Sequence, residues 1–148
     1  MRITMFSKKT LLSLLVLAFS ISLISTVDAY SQKKPNLSVW TNKKSYNPGE
    51  SGVLYIKFKT GSGVKIPKTP NITVNISGGV EGAGMQDYSG NGSGEYLGNN
   101  TVKYNFTVPS NASGKVTISG SVKFGYCSSV DGVCKIGKST FSRNISIK

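Results

Sequence analysis

After residue 30 the apolar residues of this chain recur at every second position in short runs, and turn residues cut each run off. Side chains on a strand alternate between two faces, whereas a helix returns to one face after three or four residues. The pattern predicts strands and no amphipathic helix. Leu37 to Thr41 is the first run. Gly52 to Thr60 follows, with Leu54, Ile56 and Phe58 on one face and Lys57 and Lys59 on the other. Between them, Tyr46-Asn-Pro-Gly-Glu50 reads as a turn, because proline pre-sets one dihedral and glycine tolerates positive φ.

Asn71 to Ser77 points Ile72, Val74 and Ile76 inward, and Thr101 to Val108 does the same with Val102, Tyr104, Phe106 and Val108. Lys115 to Tyr126 is the longest run, with Val116, Ile118, Val122, Phe124 and Tyr126 in phase. Phe141, Ile145 and Ile147 mark a final strand. Gly78 to Gly98 is rich in glycine and predicts a long loop, with at most a short strand around Met85 to Tyr88. About seven strands in one domain make an all-β fold, an immunoglobulin-like β-sandwich of antiparallel strands.

Residues 1–29 read as an export signal. Arg2, Lys8 and Lys9 precede an apolar stretch from Leu11 to Ile24, and Val27-Asp-Ala29 offers a cleavage site. The stretch falls short of the roughly 20 apolar residues that cross a bilayer. The expected mature domain is 30–148, without a membrane span, periplasmic or extracellular after cleavage. Outside the cytosol a cysteine pair can form a disulfide and keep it.

Composition removes whole classes of chemistry. The chain has no histidine, so Ser-His-Asp and Cys-His activation are excluded. Two cysteines alone cannot complete a zinc shell, and the acidic residues are too dispersed for a calcium loop or a glycosidase pair. No metal and no cofactor is expected. The formal charge is +12. The lysines nevertheless stand singly or in pairs and are not interleaved with aromatics, so no nucleic-acid partner is expected.

What remains is the stretch Gly125 to Gly137, which holds Cys127 and Cys134 around Asp131-Gly132. A strand that buries even positions up to Tyr126 sends Cys127 to the opposite face or the rim. A turn at Asp131-Gly132 returns the chain towards it. The bond is either a structural staple or a reactive disulfide at a sheet edge, and the residues alone leave both open.

The order of features resembles a known family. An export signal is followed by Tyr46-x-Pro48-Gly49-Glu50, a glycine-rich loop, and a long strand running into Tyr126-Cys127-x6-Cys134. This resembles the periplasmic N-terminal domain of the thiol:disulfide interchange protein DsbD and its stand-alone relatives. The resemblance implies a thiol-disulfide exchange domain, a protein-disulfide reductase component that passes electrons to periplasmic partners. Cys134 would attack the target disulfide and Cys127 would resolve it. Asp87 and Tyr88 would belong to a cap loop that shields the pair. The implied partners are thioredoxin-like or other thiol-disulfide proteins, with a membrane electron transporter as a donor. The alternative is a non-enzymatic exported immunoglobulin-like domain, for binding or adhesion, with a structural disulfide.

Overall fold

The computed structural model describes residues 32–88, 90–92 and 94–148. The expected export signal, Tyr30 and Ser31 lie outside the described residues. Nine strands and no helix form among them: β1 (Asn36–Thr41), β2 (Ser45–Tyr46), β3 (Ser51–Lys59), β4 (Val64–Lys65), β5 (Thr73–Gly78), β6 (Glu81–Met85), β7 (Thr101–Thr107), β8 (Gly114–Ser128) and β9 (Cys134–Ile147).

The strands build two sheets. The first has the order β1-β3-β7-β6; in the second, β2-β9-β8-β4, β8 also pairs with β5. Every pairing is antiparallel except β2 with β9. This is the immunoglobulin-like order: the chain begins in one sheet, crosses to the other through β2, and ends on a long hairpin at the centre of the second.

The alternating patterns become the two inner faces. Leu54, Ile56 and Phe58 of β3 and Val102, Tyr104 and Phe106 of β7 meet Ile118, Val122 and Phe124 of β8 and Ile145 of β9. The Phe58 and Phe124 rings join the sheets with centroids 4.7 Å apart. Interdigitation of this kind is how stacked sheets exclude water.

The structure revises two details of the sequence reading. The Tyr46–Glu50 turn forms, closed by the Glu50 amide donating to the Asn47 carbonyl at 3.1 Å. Tyr46, however, also belongs to β2 and is 1 % exposed, packed edge-on against Phe106 at 5.4 Å. The glycine-rich segment carries its strand earlier than expected, over Glu81–Met85, ending where Met85 to Tyr88 was expected to begin. This edge strand shifts register between Gly82 and Gly84, and it has few apolar side chains with which to announce itself.

Candidate functional site

Strand β8 serves both faces of its sheet. Its even residues reach the core, and its odd residues, ending in Gly125 and Cys127, face outward. The β8–β9 register runs without interruption to Cys127 opposite Cys134, which form a disulfide with Cα atoms 4.0 Å apart. One rung further, the Ser128 amide donates to the Val133 carbonyl at 2.9 Å. The cysteines therefore occupy a non-hydrogen-bonded pair, where facing side chains lie closest.

The turn beyond them is built from its own side chains. Gly132 has φ +70°, a conformation that an L side chain resists, and its amide donates to the Ser128 carbonyl at 3.1 Å. The Ser128 hydroxyl accepts from the Val130 amide at 3.2 Å. Asp131 Oδ1 accepts from the Val133 amide at 3.0 Å. That backbone bond, followed by the Ser128 hydroxyl, holds the Asp131 carboxyl below the usual carboxylate range. A depressed folded pKa contributes stability above the unfolded value, and that stability is lost as pH falls through the folded one. The Val133 amide resonance is therefore expected to shift on acidification below the ordinary carboxylate range. Asp131→Asn should abolish that titration, measured by NMR.

The two cysteines differ in exposure. Cys134 is exposed, whereas Cys127 is 5 % exposed although it lies outside the core. Within the sheet Cys127 stands between Cys134 and Lys65 of β4. Beside it two segments pair antiparallel through Pro67 and Tyr96 into a short strap. Lys68 donates its amide to the Glu95 carbonyl at 2.7 Å, and Leu97 donates to the Ile66 carbonyl at 2.9 Å. Ile66 and Leu97 are buried in the core and hold the strap down. Pro67 closes over Gly125, where an added Cβ would come within 3.0 Å of the proline ring. Lys65 reaches over the Tyr96 ring at 5.4 Å. The result is a cleft of about 590 Å³ with both cysteines, Pro67, Pro70, Glu95, Tyr96 and Ile136 in its walls.

Apolar exposure concentrates at this end. Val130 is 70 % exposed, Ile136 57 % and Val133 47 %, and all three sit on the disulfide-bonded hairpin. Among the described residues the other exposed large apolar side chain is Trp40. Basic residues flank the hairpin at Lys135 and Lys138.

Of the residues expected at the site, Cys127 and Cys134 come together and Asp87 and Tyr88 do not join them. The Tyr88 hydroxyl accepts from the Ile72 amide at 3.1 Å and donates to the Lys68 carbonyl at 3.4 Å. Asp87 and Tyr88 thus line a neighbouring cleft, which shares Lys68 and Thr69 with the cysteine cleft. The residues that share the cleft with the disulfide include Pro67 and Tyr96, which no motif marked. Their only trace in the sequence is an isolated apolar residue beside each, Ile66 and Leu97. Among the described residues no three His, Cys, Asp or Glu side chains gather where they could hold a metal.

No family model and no curated protein matches the chain. Among solved structures, AggA, the major subunit of aggregative adherence fimbriae type I from Escherichia coli, matches with 10% identity and a TM-score of 0.38. The match covers 79% of this chain and 97% of that one. A likeness so distant carries no argument about fold or function.

Proposed function

We propose that this chain is an exported, non-enzymatic immunoglobulin-like binding domain that presents its disulfide-clamped β8–β9 hairpin to a partner protein. The observation that carries this reading is the exposure of Val130, Val133 and Ile136 together on that hairpin. Large apolar side chains left exposed together at one end of a domain mark a contact site more often than an accident. The disulfide fixes the hairpin in advance, so less ordering entropy is lost on binding. Lys135 and Lys138 suit a partner with acidic rim residues. Export is supported by the leader-like Met1 to Ala29 and by the bonded cysteine pair.

A second reading, thiol-disulfide exchange, is favoured by one specific observation: Cys134 is exposed while Cys127 is shielded. In the reduced domain the Cys134 thiolate would attack a target disulfide, forming a mixed disulfide and expelling the target's other sulfur as a thiolate that takes up a proton. The Cys127 thiolate would then attack Cys134 Sγ, and the target's second thiol would leave. The target gains two electrons and the domain returns to its disulfide. A dithiol protein would have to reduce the domain again.

One experiment separates the readings. A photo-crosslinking side chain placed at Val133 is expected to capture a partner on intact cells, with the yield falling several-fold in Val130→Ser/Ile136→Ser. Equal capture from Thr117, on the outer face of β8 but far from the turn, would refute the hairpin as the contact. A complex that forms only in Cys127→Ala and dissolves in reductant would establish exchange instead.

A further inference from the structure

The outer face of the first sheet carries a second built feature. Register places Trp40 of β1 opposite Tyr55 of β3, and Tyr55 opposite Lys103 of β7. The Trp40 and Tyr55 rings stack with centroids 5.4 Å apart and planes 4° from parallel. Lys103 Nζ stands 5.8 Å from the Tyr55 centroid. Trp40 is 36 % exposed. Lys57, one row along β3, faces the same side, opposite Thr101.

A wall of amides rises beside this row. Gln86 donates its backbone amide to the Lys103 carbonyl at 2.9 Å and its side-chain amide to Asn105 Oδ1 at 2.8 Å. Asn91 donates to Asn99 Oδ1 at 2.7 Å and to the Thr101 carbonyl at 2.6 Å. The Lys68 ammonium ties Gly92 from behind, donating to its carbonyl at 2.9 Å. Wall and aromatic row enclose a cleft of about 730 Å³. Its shape is thus set by bonds within the protein before any ligand arrives.

Three chemistries meet in this cleft: an exposed indole, two ammonium groups, and a polar wall that includes Asp87. An indole face is negative and attracts the positive C–H edges of a sugar ring. Ammonium groups attract a carboxylate, and the strongly basic chain draws polyanions towards it. We propose that this cleft binds an acidic polysaccharide bearing spaced carboxylates. One sugar ring stacks on Trp40, and an adjacent carboxylate is held by Lys57 and Lys103. The site lies on the other sheet from the disulfide hairpin and stands apart from the function proposed for it.

Trp40 is the only tryptophan of the chain, so its fluorescence reports the site directly. Titration with a hyaluronate hexasaccharide should change that fluorescence saturably. Calorimetry should give affinity weakened by about tenfold or more in Trp40→Ala. Lys57→Ser, one row away from the Trp40–Tyr55 stack, should weaken binding about threefold and flatten its salt dependence. Neutral N-acetylchitohexaose should bind several-fold more weakly. No saturable response to hyaluronate, equal affinity for the neutral sugar, equal affinity for a dT hexamer, or unchanged affinity in Lys57→Ser would each overturn the proposal.

Discussion

Replacing Phe124 by Ala should lower the stability of the protein by about 3–5 kcal/mol, the range for truncating a buried aromatic ring. Phe124 is 1 % exposed and stands where the two sheets touch, 4.7 Å from the Phe58 ring and 6.1 Å from the Tyr126 ring. Its register partner on β9 is Gly137, which offers no side chain to fill the space. The cavity would therefore persist, and the loss should fall at the upper end of the range. Urea denaturation should show the midpoint moving with little change in slope. A loss below about 1 kcal/mol would mean that the sheets close over the gap, in which case the packing is less constrained than the ring contacts imply.

The second large effect is expected from Cys127→Ala/Cys134→Ala. The bond closes an eight-residue loop, for which chain entropy gives about 2–3 kcal/mol. The fold should survive, because the core contains neither cysteine and the Ser128–Val133 rung remains. Denaturation of the oxidised and double-alanine proteins measures the difference. The same bond decides between the two functional readings. A clamp should have a potential below about −300 mV, whereas an exchanging pair should equilibrate with cellular thiols at less negative values. A stable clamp would leave the hairpin as a binding element. An easily reduced bond would make Cys134 its reactive atom.

The long strands were legible because each has one dry face. β3, β7 and β8 announce themselves through Leu54-x-Ile56-x-Phe58, Val102-x-Tyr104-x-Phe106 and the even residues of β8. The first half of β9 was silent. The residues facing Tyr126, Phe124 and Val122 there are Lys135, Gly137 and Ser139, so the apolar volume is supplied by the partner strand. Likewise β2 and β4 are two residues long and carry no period at all.

At the site, strand phase puts Cys127 on the face opposite the core cluster, yet the residue is buried, at 5 % exposure, because phase describes only one sheet. The cleft beside Cys127 is walled by segments near residues 67 and 96, bridged to each other in a long-range arrangement with no local signature. The Asp87-Tyr88 segment illustrates the same limit. Tyr88 spends its hydroxyl on the backbone of Lys68 and Ile72, a pairing that nothing near it in the chain foretells.

The parallel pairing of β2 with β9 also fixes how the domain bears load. Tension between the chain upstream of Gln32 and the end at Lys148 pulls β2 and β9 in opposite senses along their common axis. Their hydrogen bonds, Ser146 amide to Lys44 carbonyl at 3.0 Å and Lys148 amide to Tyr46 carbonyl at 2.9 Å, lie across that axis. They must shear together instead of unzipping one by one. The antiparallel β1–β3 ladder meets the same pull in the same geometry. A pull between Gln32 and Lys148 therefore meets both ladders in shear.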